Sequence, residues 1–308
     1  MNSTNIEAHN IHFNYGDTKV LRGLDLTLNQ GDIYGFIGPN GAGKTTMIKI
    51  LLGLLTPSRG NVHLFGKPLR SNHISIMRQI GCLIETPAFY PHLSALENLE
   101  LQAIAYGVSK KRCLDVLALV GLSDTFSKRL KHFSLGMKQR LGLGMALLHN
   151  PKLLILDEPA NGLDPQSIQA LRLLLIRLSQ EERITIFLSS HILSELEQVI
   201  SRLAIINHGQ KYYEGSIAEL KKRSSGELHL SVDNPEAALA DLEELGYQGT
   251  LERENEVLLE VTSESEIAKV NAQLVQRRFA ITKLLFEQPN LEKIFLSMIN
   301  EEPERGMN

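Results

Sequence analysis

The sequence predicts an α/β protein: a large domain wound around a mainly parallel sheet, then a small α+β domain. Three observations predict it. The 308 residues exceed what one small domain needs, so a large domain plus a smaller one is the natural division. Two mainly apolar runs, residues 152–157 and 184–189, have the composition of strands buried on both faces. Between the apolar run Ile33–Ile37 and a helix-like run over 46–55 lies Gly38-Pro39-Asn40-Gly41-Ala42-Gly43-Lys44-Thr45, a glycine-rich loop in a strand-loop-helix setting.

That loop dictates a chemistry. The backbone must curl until several N–H groups point inward at phosphate oxygens, and the glycines permit dihedrals that a side chain would forbid. The following helix, which opens on Thr45 and Thr46, adds the positive end of its dipole. Lys44 would reach the β- and γ-phosphates of a nucleotide, and the Thr45 hydroxyl would ligate Mg²⁺. Alone, the loop leaves kinases, GTPases and many ATPases open.

Composition excludes other classes. The apolar fraction of 43% is ample for a core, and a net charge of −3 without a long basic block leaves no nucleic-acid footprint. Lys110-Lys111-Arg112 and Lys221-Lys222-Arg223 read as solvated helix surface. Cys82 and Cys113 have neither disulfide nor metal spacing and are expected buried or half-buried in a reducing compartment. The N-terminus lacks the pattern of a signal peptide, and no apolar run reaches about 18 residues, so no membrane span is expected.

Along the chain, residues 5–37 read as an antiparallel strand set leading into the strand before the loop, with Tyr15 at its first turn. Residues 88–150 read as a helical subdomain: Ser94 and Glu97 have capping-box spacing, Gly107 and Gly121 stop two helices, and Asn150-Pro151 ends a third. The sheet resumes at 152–157, Asp164-Pro165 opens a helix, and a further helix is expected from His191 through Val199. A polar segment at residues 223–226 marks a boundary, so the domains are 1–223 and 227–300. The second reads β-α-β-β-α-β, a ferredoxin-like order, with a last helix over 291–299.

A second motif narrows the chemistry. Asp157 ends a buried strand, where it can help hold Mg²⁺, and Glu158 beside it is placed to act as general base or to orient an attacking water. With these in place the chain resembles the nucleotide-binding subunits of ABC transporters over residues 5–222. The resemblance implies a P-loop NTPase domain with antiparallel β and helical subdomains, binding ATP and Mg²⁺ and hydrolysing ATP. It makes Tyr15 the aromatic that stacks on adenine, residues 38–45 the phosphate loop, Phe133-Ser134-Leu135-Gly136-Met137 the signature, Asp164 a D-loop residue and His191 the switch histidine.

In the family the signature of one subunit contacts the nucleotide of another, so a dimer, homomeric on the simplest reading, is implied, with Ser134 and Gly136 at a helix start touching the γ-phosphate. Leu135 and Met137 depart from the usual glycine and glutamine, which implies altered affinity or coupling. Glu85 stands where the family has a glutamine that touches Mg²⁺ or the attacking water. Residues 84–90, the run FSLGMKQRLG and the C-terminal extension are similar to the exporters that protect bacteria against bacitracin and lantibiotics. The resemblance implies a peripheral subunit at the cytoplasmic face of the membrane, driving a separate integral-membrane permease that exports a peptide antibiotic or similar amphipathic compound. A soluble ABC ATPase of translation or DNA repair is the alternative; such proteins carry tandem domains or a long coiled-coil insertion, and this chain has neither. A simple phosphate-loop kinase is disfavoured by the signature and Glu158.

Overall fold

The structure, a computed structural model, describes residues 4–84, 88–192, 197–223, 226–253, 256–261, 263–287 and 291–300. The chain divides into two compact units, Met1–Gly215 and Ser216–Glu302.

The first unit opens with β1 (Thr4–Tyr15), β2 (Thr18–Asn29) and β3 (Ile33–Ile37), then α1 (Lys44–Leu51), β4 (Arg59–Leu64), β5 (Lys67–Pro68), α2 (Leu69–Met77) and β6 (Ile80–Leu83). The helical part follows as α3 (Ala95–Tyr106), α4 (Lys110–Leu119) and α5 (Leu135–Leu147). The chain then returns to sheet with β7 (Leu153–Asp157), α6 (Pro165–Gln180), β8 (Thr185–Ser190), β9 (Arg202–Asn207) and β10 (Gln210–Ser216).

Two sheets result. One has the order β2-β1-β4-β5 with antiparallel pairing, and the other the order β10-β9-β3-β8-β7-β6. In the second, β9, β3, β8, β7 and β6 run parallel. Every residue of β3, β7 and β8 is buried, as expected of strands covered on both faces. β2 instead alternates, burying Leu21, Leu24, Leu26 and Leu28, because one face of its sheet is solvated. Met47, Ile48 and Leu51 of α1 share one apolar cluster with Leu26 and Leu28 of the antiparallel sheet and Phe36, Ile155 and Phe187 of the parallel one. The helix that follows the phosphate loop is thus packed against both sheets, which fixes where its N-terminus points.

The helical subdomain is punctuated as expected. Ser94 and Glu97 form both halves of a capping box, and Gly107 ends α3 in the left-handed conformation. Arg112 corrects the surface reading of its basic cluster: its guanidinium donates to the carbonyls of Leu147 (2.8 Å) and Leu148 (3.2 Å), satisfying the C-terminal end of α5. Cys113 is buried, but Cys82 is exposed, on the edge strand β6. Helix α2 is an element the sequence reading lacked. Residues 193–196 lie outside the described residues, and Glu197–Val199 form a turn rather than the end of the expected helix.

The second unit contains α7 (Ile217–Arg223), β11 (Gly226–Val232), α8 (Pro235–Glu244), β12 (Gly249–Arg253), β13 (Glu256–Val261), α9 (Glu264–Gln276), β14 (Ile281–Glu287) and α10 (Leu291–Asn300). Its sheet has the order β12-β13-β11-β14, all neighbours antiparallel, which is the β-α-β-β-α-β topology. Leu228, Leu230, Val257 and Leu259 face Leu242 of α8 and Val270 and Leu274 of α9 in a separate core. Helix α7 groups with this unit, although the sequence boundary placed it with the first.

Candidate active site

The site starts at the C-terminal ends of parallel strands, where α/β sheets leave a crevice. The phosphate loop leaves β3 at Gly38, whose N–H donates to the Ser190 carbonyl at the end of β8 (3.2 Å). A Cβ on Gly38 would lie 2.5 Å from the Ile206 carbonyl oxygen of β9, so the strand packing demands glycine there. Gly43 has φ 107° and forms the N-cap of α1 without a side-chain cap. The first N–H groups of α1 therefore face the loop with no helical partner, an anion-binding arrangement. Gly41, with φ 83°, and Asn40 are exposed on the rim, while Ala42 and Thr46 are buried beneath it.

Lys44 is 6% exposed and folds back over the loop. Its ammonium donates to the carbonyls of Gly38 (2.7 Å) and Pro39 (3.2 Å) and lies 3.1 Å from Glu158 Oε1. The other oxygen of that carboxylate, Oε2, meets His191 Nδ1 at 2.8 Å and accepts the His191 N–H at 3.3 Å. Glu158 thus bridges Lys44 and His191, three residues far apart in sequence. Its backbone sits at φ 48°, a left-handed conformation that a glutamate adopts only under constraint.

Part of that constraint comes from Ser189, a residue the sequence reading passed over. Its hydroxyl accepts the Glu158 N–H (3.0 Å) and donates to Asp157 Oδ1 (2.6 Å). Asp157 Oδ2 in turn accepts from Thr45 Oγ1 (2.9 Å). The signal for Ser189 was register: β7 and β8 pair in parallel with Asp157 beside Ser189. The Thr45 hydroxyl and the Asp157 carboxylate are hard oxygen donors side by side, a set that fits Mg²⁺.

The other expected residues lie elsewhere. Tyr15, at the end of β1, is 52% exposed and meets Phe13 edge to face, a ring free on its outer side. Ser134 is the N-cap of α5, accepting the Met137 N–H (3.3 Å), and Leu135 beside it is exposed. Gly136 is buried against α6: a Cβ there would lie 2.9 Å from the Ser167 Cβ and closer still to its hydroxyl. Ser167 is held by Asp164, whose carboxylate accepts both its N–H and its hydroxyl (each 2.9 Å). Among the described residues neither Ser134 nor Gly136 hydrogen-bonds the phosphate loop. The link from α5 toward the site is Gln139, which donates to the Pro159 carbonyl (2.9 Å) just beyond Glu158. Glu85 lies outside the described residues.

The comparisons with known proteins follow the same pattern. Residues 21–161 match the family model described as ABC transporter. The chain is 41% identical over 299 residues to the bacitracin transport ATP-binding protein BcrA of Bacillus licheniformis, covering 96% of this chain and 98% of that protein. The chain belongs to the ABC transporter ATP-binding proteins. It is also 41% identical over 215 residues to the lantibiotic transport ATP-binding protein SrtF of Streptococcus pyogenes, covering 68% of this chain and 92% of the relative. Among solved structures, cbiO1 from Clostridium perfringens, part of the ABC transporter complex cbiONQ, matches with a TM-score of 0.67 and 25% identity over 72% of this chain and 92% of that one. As an ABC ATP-binding subunit the protein hydrolyses ATP to power transport.

With the family shown, each contact acquires a chemical meaning. A carboxylate held in this way has the chemistry to take a proton from, or orient, a water beside a bound phosphate. His191 holds the Glu158 carboxylate from one side and Lys44 from the other. No helix among the described residues is long and apolar enough to cross a membrane.

Proposed function

We propose that this chain is the ATPase subunit of an exporter for a peptide antibiotic or similar amphipathic compound. It works as a homodimer docked on a separate integral-membrane permease at the cytoplasmic face of the membrane. The observation that carries the hydrolytic part is the Lys44–Glu158–His191 bridge beside Thr45 and Asp157. The cargo class rests on the full-length match to a bacitracin transport subunit and the shorter match to a lantibiotic one.

In this reading Mg²⁺ bound by Thr45 and Asp157 would neutralise charge on the β- and γ-phosphate oxygens. Residues 38–46 cradle the phosphates, Tyr15 stacks on adenine, and Ser134 and Gly136 complete the site of the opposite subunit. Glu85 takes the part of the family's glutamine, acting on Mg²⁺ or the attacking water. The domain following the boundary at 223–226 serves assembly or regulation.

The test is purification of the tagged chain from detergent-solubilised membranes. An integral-membrane protein should co-purify and raise its ATPase rate, and cells lacking the chain should become sensitive to bacitracin-like peptides. Recovery with ribosomes or DNA and no membrane partner would contradict the reading.

A further inference from the structure

The second unit carries metal-ligating side chains that the nucleotide site does not use. Along β11 the buried residues Leu228 and Leu230 face the helices, while Glu227 and His229 face the other side of the sheet. The ladder sets Glu287 of β14 beside Glu227 and Leu285 beside His229. Nε2 of His229 lies 4.0 Å from Glu227 Oε2 and 4.0 Å from Glu287 Oε2, and the three ligand atoms all lie within 4.8 Å of one another.

The imidazole supplies an independent sign. His229 Nε2 is shielded from solvent and makes no hydrogen bond among the described residues. A distance of 4.0 Å is too long for a hydrogen bond to either carboxylate. A buried imidazole nitrogen without a partner is unfavourable, and one facing two carboxylates is relieved by a cation placed between them.

We propose that Glu227, His229 and Glu287 bind a divalent cation of the Zn²⁺ class. One imidazole nitrogen with two carboxylate oxygens suits zinc, whereas Mg²⁺ and Ca²⁺ favour all-oxygen sets. With two sides of 4.0 Å and the third no longer than 4.8 Å, the centre of the triangle lies at most about 2.5 Å from each corner, so the ligands need close by only tenths of an ångström to reach zinc bonding distance. The Glu287 side chain, 57% exposed, is free to make that adjustment. A fourth position remains for water.

Lys293 of α10 competes for the site, since its ammonium lies 2.7 Å from Glu227 Oε2. Metal binding would exchange that tie between α10 and β11 for one between β11 and the edge strand β14. His229 also groups with Glu252 and Glu256, but the orphaned Nε2 is the atom that faces Glu227 and Glu287.

The test is titration of the full-length, metal-free protein with ZnCl₂ against a chromophoric chelator. The parent should take up one more Zn²⁺ equivalent than His229→Asn. Glu287→Gln, a change at an exposed side chain, should weaken that equivalent at least tenfold, and Lys293→Met should tighten it. All three should keep the parental ATPase rate, which shows the fold intact and separates this result from the nucleotide site. No zinc uptake by the parent, equal uptake by parent, His229→Asn and Glu287→Gln, or a loss in Glu256→Gln with none in Glu287→Gln would overturn the proposal.

Discussion

The hydroxyl of Ser189 donates to Asp157 Oδ1 across 2.6 Å, so the end of β8 sets the carboxylate at the end of β7. Asp157 is 7% exposed, and the same hydroxyl takes up the N–H of Glu158. Ser189→Ala would leave a buried carboxylate oxygen and a backbone N–H without their partner. Outer-shell hydrogen bonds of this kind typically carry 10–100-fold in activity or metal affinity. We expect a fall in kcat of about that size with ATP affinity changed little, together with a destabilisation of about 1–3 kcal/mol. Parallel steady-state and thermal-denaturation measurements check both; an unchanged kcat would show that Thr45 alone suffices to hold Asp157.

Gly136 and Ser167 offer a separation of packing from phosphate chemistry. A methyl at Gly136 meets the Ser167 side chain head-on, so Gly136→Ala should cost about 1–3 kcal/mol and lower ATPase activity. Ser167→Ala in the same chain removes the obstructing hydroxyl, and part of the activity should return. Absence of any recovery would mean that the loss at Gly136 arises from the nucleotide contact rather than from α5–α6 packing.

His149, just after α5, makes stability depend on pH. Its ring stacks on Tyr106 with centroids 4.5 Å apart, Nε2 meets the Ile80 carbonyl at 3.0 Å, and Nδ1 is buried without a partner among the described residues. Burial pushes the imidazole pKa below 6.5, outweighing the carbonyl contact that favours the charged form. The folded state therefore binds fewer protons than the unfolded one below that pH. Its contribution is fully present above about 6.5 and is lost as pH falls through the lower folded value. Comparing the melting temperatures of the parent and His149→Gln from pH 7.5 to 5.5, the parent should lose more on acidification. Parallel curves would show that His149 is as easily protonated folded as unfolded.

Much of this was legible before the structure, and the reasons are local. The phosphate loop, the capping box at Ser94 and Glu97, the glycine stop at Gly107 and the acidic pair ending β7 announce themselves within a few residues. The β-α-β-β-α-β order of the second unit followed from alternating patterns and turns. Helix α2 was not legible because only Leu69 and Ile76 of its nine residues are buried and no side chain caps its start. Ser189, Gln139 and Arg112 were missed because each acts through a partner 20 to 36 residues away in sequence. The role of His229 depends on strand register, which residue spacing along one strand does not reveal.

The central claim is that Glu158 positions the water that attacks ATP, and Glu158→Gln tests it most directly. The substitution keeps the shape and the phosphate loop, and removes the charge that Lys44 and His191 hold between them. Measured at saturating Mg²⁺ and ATP, steady-state hydrolysis should fall by about 10²-fold or more, while labelled ATP still binds and the protein accumulates as an ATP-dependent dimer. Hydrolysis within a few-fold of the parent would contradict the account and move the catalytic role away from Glu158.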